Sequence, residues 1–269
     1  MTFETSTGGL SRESRRDLAD LFGRGERATT VEAAAAALGI ERDEAAGRLA
    51  GWALRGWVRR VRRGLYIAVP VDAIDPASWT EDPWYLADLV WSPCYVTGWT
   101  AANHWSLTDQ VFRTTSIATT QRVRRVEQSL AESEYVVHHV EAKKLDWGLR
   151  TEWRHDRRVR VADPARTVGE LLVAPALGGG IRHVAEVVDT YFDTNETALL
   201  IEALERLETG AAFKRLGFLI EHLGINALDA LERCRRAVTS GFADLDPSLP
   251  STGPRSAEWN IRVNVQLER

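Results

Sequence analysis

Residues 56–70 read GWVRRVRRGLYIAVP, and the reading of this stretch decides how the chain before it folds. Trp57–Val61 and Leu65–Val69 are rich in β-branched and aromatic residues, which suit a pleated surface better than a helix. Between them Arg62-Arg63-Gly64 has the length of a hairpin turn, with glycine where a positive φ is expected. A hairpin carrying Arg59, Arg60, Arg62 and Arg63 is therefore predicted.

Upstream, Ala46, Leu49, Ala50, Ala53 and Leu54 form an apolar stripe over Glu41–Arg55 that Gly56 terminates. Before it, Thr29-Thr30-Val31-Glu32 reads as a capping box ahead of an alanine-rich helix that stops at Gly39. Leu18, Leu21 and Phe22 place a first helix over Arg12–Phe22, closed by Gly23 and Gly25. Three helices followed by a hairpin is the order of a winged helix-turn-helix unit, which we assign to residues 1–75.

Pro70–Pro83, with three prolines and four carboxylates, reads as a linker or leading loop. Residues 76–269 then suggest a larger mixed α/β domain, so that the whole chain is of the α+β class. It opens with a helix over 84–91, strand material near Tyr95 and a helix over 100–105. Strands follow at 113–119, 135–141, 148–153 and 158–161, then helices at 164–172, 181–191, 196–207, 211–222 and 225–236. Trp259, Ile261, Val263, Val265 and Leu267 alternate with polar residues so regularly that a final strand over Trp259–Leu267 is predicted.

The 269 residues correspond to roughly two domains at about 150 residues each. A hydrophobic content of 44% with ten tryptophans excludes general disorder. The longest apolar run, Ala33–Leu38, is far short of the roughly 20 residues of a membrane span. The opening MTFETSTGGLSRESRR has no apolar core behind its charges, so a soluble, cytoplasmic protein is expected, with no membrane partner. Cys94 and Cys234 lack a Cys-x-x-Cys partner, which argues against a disulfide framework or zinc ribbon and fits a reducing compartment.

The net charge of −4 excludes a uniformly basic nucleic-acid protein, but it hides an asymmetry. Residues 1–70 hold 12 arginines against 9 acids, while the remainder is net acidic. Arg48, Arg55, Arg59, Arg60, Arg62 and Arg63 fall in one segment free of acids. In a winged helix the third helix enters the major groove and the hairpin lies over the backbone, so these cations suit phosphate contact. Arg48 and Arg55, seven apart, share a helical face, and Arg42 stands nearer the amino end, where a guanidinium meets guanine edges. Glu41, Asp43 and Glu44 at the same helix start oppose this. A second group, Arg122, Arg124, Arg125, Arg158 and Arg160, reads either as a solvated face or as a second DNA- or partner-contacting surface.

No catalyst emerges. His104, His138, His139, His155, His183 and His222 include no pair at metal-ligand spacing, so neither a metal site nor a cofactor is expected. Nucleophile-elbow, phosphate-loop and dinucleotide motifs are missing, and Gly178-Gly179-Gly180 reads as a flexible turn. Asp163 before Pro164 reads as a helix cap.

Five stretches together resemble the AbiEi family of antitoxins from bacterial type IV toxin-antitoxin systems. They are Gly56–Pro70, YVTGWTAANHWSL (95–107), VADPARTVGELLVAPALGGG (161–180), FKRLGFLIEHLG (213–224) and WNIRVNV (259–265). The resemblance implies an amino-terminal DNA-binding domain that represses its own operon and a carboxy-terminal domain concerned with antitoxicity. It implies a nucleotidyltransferase-like toxin as functional partner, opposed without a stable complex. Arg59, Arg60, Arg62, Arg63, Gly64 and Tyr66 match the family's wing. Asp163, Pro164, Arg166 and Thr167 match its DPxRT stretch, and Lys214, Arg215, Leu216 and Gly217 its KRLG stretch. Neither stretch has a chemical role; Arg166 one turn before Glu170, and Lys214 on a helix that also presents Glu221, suit salt bridges between packed helices.

The expectation is thus a non-enzymatic transcriptional autorepressor and antitoxin that binds double-stranded promoter DNA, with cooperative assembly on inverted repeats. The rivals are a metal-dependent nuclease and a winged-helix regulator without a toxin.

Overall fold

The computed structural model describes residues 11–23, 25–70, 72–73, 75 and 79–267. The expected leaderless start at residues 1–10 and part of the expected 70–83 linker lie outside the described residues.

Helix α1 (Arg12–Phe22) begins at Ser11, whose hydroxyl accepts from the Ser14 N–H at 3.1 Å. Strand β1 (Ala28–Thr30) leads into α2 (Val31–Leu38), which Gly39 closes in the left-handed region, φ 65°. Helix α3 (Arg42–Leu54) follows, then β2 (Val58–Arg62) and β3 (Leu65–Ala68), joined through Gly64 at φ 79°. The three strands pair antiparallel in the order β1-β3-β2. The cap of α2 sits one residue later than the spacing predicts. Thr30 accepts from the Ala33 N–H at 3.1 Å, while Thr29 is a buried strand residue.

The register shifts between Arg60 and Arg62, so that Arg62 and not Val61 pairs with Leu65. Val58 and Val61, three apart, point to opposite faces of the strand. Val58 packs with Leu21, Leu49, Trp52 and Tyr66 in a core made by α1–α3. Val61, Leu65 and Ile67 lie in a different core, with Trp84, Tyr85 and Tyr95 from the chain that follows. The hairpin sheet is covered on both faces.

That following chain starts with α4 (Pro83–Trp91), where Asp82 accepts from the N–H groups of Trp84 and Tyr85 at 2.8 and 2.9 Å. Strand β4 (Cys94–Val96) and helix α5 (Gly98–His104) come next, then β5 (Thr114–Thr119), β6 (Glu127–Leu130) and β7 (Ser133–His139). Strands β8 (Leu149–Arg154) and β9 (Arg157–Ala162) complete a six-stranded mixed sheet ordered β6-β7-β5-β4-β9-β8. Helices α6 (Pro164–Val173), α7 (Ile181–Thr194), α8 (Thr197–Leu207), α9 (Gly210–Leu223) and α10 (Leu228–Ala237) enclose a third core around Leu171, Val188, Leu204 and Leu216. Short strands β10 (Ala243–Asp244), β11 (Arg255–Ser256) and β12 (Ile261–Arg262) end the chain in the order β10-β12-β11. Among the described residues the protein is thus a mixed α/β chain with ten α-helices and three sheets. None of these helices is long and apolar enough to cross a membrane.

The final strand is far shorter than its alternation predicts. Only Ile261 and Arg262 pair, although Trp259, Ile261 and Val265 are all buried on one side. The pattern recorded burial of an extended segment, not a ladder.

Two of the sequence stretches are structural fastenings. Asp163 caps α6 by accepting from the Arg166 N–H at 2.8 Å. The fully buried Arg166 donates to Glu170 at 2.9 Å and to the Trp147 carbonyl. Arg215 of α9 reaches the Leu172 carbonyl at 2.7 Å and the Asp244 and Leu245 carbonyls at 3.0 and 3.1 Å, tying α6 and β10 to α9. Lys214 donates to the Gly241 carbonyl at 2.7 Å; Glu221 instead serves Trp259 and Arg235. Gly217 lies flat against Trp259, where a Cβ would fall 2.1 Å from the indole ring.

Candidate nucleic-acid interface

The arginines singled out in the sequence divide by what they touch. Arg48, on α3, binds Asp17 of α1 at 2.5 Å and Glu44 at 2.8 Å, with Glu13 at 3.3 Å, so its charge is spent fastening α1 to α3. Arg42 opens α3 and pairs with Glu32 of α2 at 3.0 Å; Asp43 beside it is fully exposed. The Glu32 carboxyl is held below its ordinary pKa by backbone hydrogen bonding and then by Arg42. Arg59 faces Glu132 in the β6–β7 turn at 3.5 Å and Trp79 at 5.9 Å from the ring centre. Arg55, Arg60, Arg62 and Arg63 are exposed, and none has a carboxylate at ion-pair distance among the described residues.

Gly64, at the hairpin tip, accepts through its carbonyl from the Val31 N–H at 3.1 Å. Glu32 next to Val31 holds Arg42, so the tip, the start of α2 and the start of α3 converge. Arg55, at the far end of α3, stands about 20 Å away by helical rise.

The fold also brings the hairpin against the loop between β5 and β6. The Arg62 guanidinium lies 3.5 Å from the Val90 carbonyl at the end of α4, and the Gln121 side-chain amide lies 3.4 Å from that same oxygen. Gln121 is fixed by a second, 2.7 Å bond to the Ser92 carbonyl. Val123 turns into the core that holds Val61 and Leu65, which leaves Arg122, Arg124 and Arg125 exposed. Among the described residues none of these three has an ion pair. Arg62 and Gln121 therefore meet at one carbonyl, which brings the loop carrying Arg122, Arg124 and Arg125 against the hairpin. Gln121 is the residue sequence reasoning missed: only its adjacency to Arg122 marked it.

The 154–160 group is largely committed. Arg154 approaches Asp82 at 3.4 Å and Arg157 binds Asp88 at 2.8 Å, both on the α4 side. Arg158 is exposed beside the Trp153 ring, and Arg160 points at the Leu145 carbonyl at 3.4 Å. As alternation predicts, Val159 and Val161 take the buried face of β9 between them.

The most concentrated buried polar group is built round Glu170. Its carboxylate accepts from Tyr95 at 2.7 Å, from Thr97 and from Arg166. Every one of these partners is a donor, and the carboxylate is tied into the packing of α6 against β4. Burial pushes the Cys94 and Cys234 thiols up to about 12, far from the thiolate that reactivity requires. Among the described residues no three His, Cys, Asp or Glu side chains are grouped to hold a metal.

No known family and no curated protein matches the chain. Among solved structures it is similar to the crystal structure of RV2827C protein from Mycobacterium tuberculosis. The TM-score is 0.65 and the identity 14%, over 94% of this chain and 92% of that one. At that identity the likeness is one of fold alone.

Proposed function

We propose that the protein is a cytoplasmic DNA-binding autorepressor and antitoxin whose first 75 residues act as a winged helix-turn-helix. What supports the DNA reading is that Arg62 and Gln121 meet at the Val90 carbonyl, so that the loop carrying the exposed Arg122, Arg124 and Arg125 adjoins the hairpin carrying Arg60, Arg62 and Arg63. Six exposed guanidinium groups without carboxylate partners among the described residues leave positive charge for an anionic polymer to neutralise, releasing its counterions. A hairpin buried on both faces presents its tip rigidly, so these contacts set register and orientation on the duplex, and base contacts specify the site.

The order α1-β1-α2-α3 with a returning hairpin supports the winged-helix assignment. In this reading α3 faces the major groove, with Arg42 at its leading end. Arg48 and Arg59 act inside the protein, as their partners Asp17 and Glu132 indicate. The antitoxin role rests on the sequence resemblance: residues 76–269 oppose a nucleotidyltransferase-like toxin, and the chain itself carries out no catalysis.

Electrophoresis of the protein with duplex DNA from upstream of its own reading frame, with magnesium present, tests this. The expected result is a retarded, intact duplex that scrambled competitor displaces poorly, and loss of retardation on changing Arg60, Arg62 and Arg63 to alanine. A cleaved duplex, or retardation unaffected by the triple change, overturns it. Relief of growth arrest when the chain is co-expressed with a nucleotidyltransferase-like product of a neighbouring frame tests the antitoxin half.

A further inference from the structure

A second feature, remote from the hairpin in sequence and in chemistry, is a groove around Trp147. Two clefts meet there, of about 300 and 340 Å³, and both are walled by Trp147 and Arg206. These volumes fall at the lower end of small-molecule sites.

The tryptophan is fixed from behind. The Arg166 guanidinium lies 4.5 Å from the Trp147 ring centre and 4.3 Å from that of Tyr95, and it donates to the Trp147 carbonyl. Gly148 next in the chain adopts φ 59°, and a Cβ on it would come 2.9 Å from the Arg166 side chain, so the close approach requires glycine. The aromatic ring is thereby positioned before any ligand arrives.

The two clefts differ in character. One is lined by Pro164, Ala165, Tyr191, Leu199 and Ala203, with Asn195 offering an amide; Leu199 is 47% exposed although large and apolar. The other is lined by Lys143, Lys144 and Arg206, opposed by Glu208. Lys143 is occupied by Glu141 at 3.2 Å, while Lys144 and Arg206 have no ion pair among the described residues. Arg150 adds a cation to the apolar side, where Glu202 opposes it and Asp163 is taken up in capping α6. Partial burial lowers the Lys144 pKa, so its ammonium is a charge that an anionic ligand would stabilise.

We propose that this groove binds a nucleoside phosphate. The base lies against Leu199 and Pro164 within reach of Asn195, and the phosphates lie over Arg206 and Lys144. Trp147 forms the rim between them. A slot with apolar walls, the Asn195 amide and a border of Arg150, Asp163 and Glu202, joined to a cationic slot, matches a ligand with a flat heteroaromatic end and a polyanionic end, and neither slot alone would select it. This site is independent of the DNA reading and stands or falls separately.

Calorimetric titration of the full-length protein with ATP, ADP, adenosine and inorganic phosphate is the test. The expected result is saturable binding of ATP with Kd below about 1 mM, with adenosine and inorganic phosphate each weaker by about tenfold or more. Arg206→Ala and Lys144→Ala should each weaken ATP about tenfold; Arg206 is exposed and Lys144 half-buried, and an unchanged melting curve verifies the fold of each variant. Leu199→Asp should weaken ATP by a similar factor and leave inorganic phosphate unaffected. Absence of saturable ATP binding overturns the proposal. So does ATP binding that persists unchanged in all three variants, or inorganic phosphate that binds as tightly as ATP.

Discussion

Arginines at the two ends of this molecule do opposite things. Arg60, Arg62 and Arg63 on the hairpin are exposed and face no carboxylate among the described residues, whereas Arg166 and Arg215 in the helical region are 0% and 4% exposed and donate to carbonyls and a carboxylate. A guanidinium carries five N–H donors in a planar fork, so it can fasten several backbone carbonyls at once or bind phosphate. Which it does depends on whether the fold has already placed acceptors around it. The DPxRT and KRLG stretches are therefore marks of folding, whereas of the RRVRR arginines only Arg59 is taken up by a carboxylate among the described residues.

The sharpest way to break this contrast is to remove a buried cation. Arg166→Met leaves the Glu170 carboxylate buried without its ion-pair partner and should cost about 3–5 kcal/mol, read from urea unfolding. Adding Glu170→Leu should recover part of that loss, because the stranded charge is gone. Gly217→Ala forces a Cβ into the Trp259 ring and should cost about 1–3 kcal/mol, seen as a lowered Tm.

A smaller effect concerns acid. Burial raises the Asp246 pKa, but hydrogen bonds from Ser248 and the Ile181 N–H, with Arg215 nearby, outweigh it and hold the carboxyl below its ordinary 3.8. A depressed native pKa gives stability that is fully present above about pH 4 and is lost as pH falls through the native value. Asp246→Asn lacks that contribution at every pH. The gap between its urea midpoint and that of the unaltered protein should therefore close on acidification from pH 6 to 3. A gap that stays constant would show that Asp246 acts by shape alone. Least of all should stability respond to Arg60, Arg62 and Arg63 changed together to alanine, which should move it by no more than about 0.5 kcal/mol.

Much of the helical frame was legible because helix ends are local events. Arg12–Phe22, the stop at Gly39 and the Asp163 cap each depend on residues within one turn. Strands β1 and β6 were not, since three or four residues such as Glu-Gln-Ser-Leu carry no readable alternation and pair with distant segments. Trp259–Leu267 erred the other way, through an alternation that reports burial whether or not a neighbour pairs. The hairpin was legible but its bulge was not, since nothing local marks that Arg62 and not Val61 takes Leu65 as partner. For the interface, the residue types were readable and their partners were not: Asp17 lies 31 positions from Arg48, and Glu132 is farther still from Arg59. The approach of Gln121 and Arg62 to one carbonyl needed the fold.

The joint surface is tested most directly by the salt dependence of binding to upstream duplex DNA. It should be measured for the unaltered protein, for a hairpin variant lacking Arg60, Arg62 and Arg63, and for a loop variant lacking Arg122, Arg124 and Arg125. Both variants should flatten the plot of log affinity against log salt, by about 0.9 for each phosphate that is no longer neutralised, and their combination should flatten it further. A loop variant with an unchanged slope would separate the two groups, and unchanged slopes in both would contradict the account.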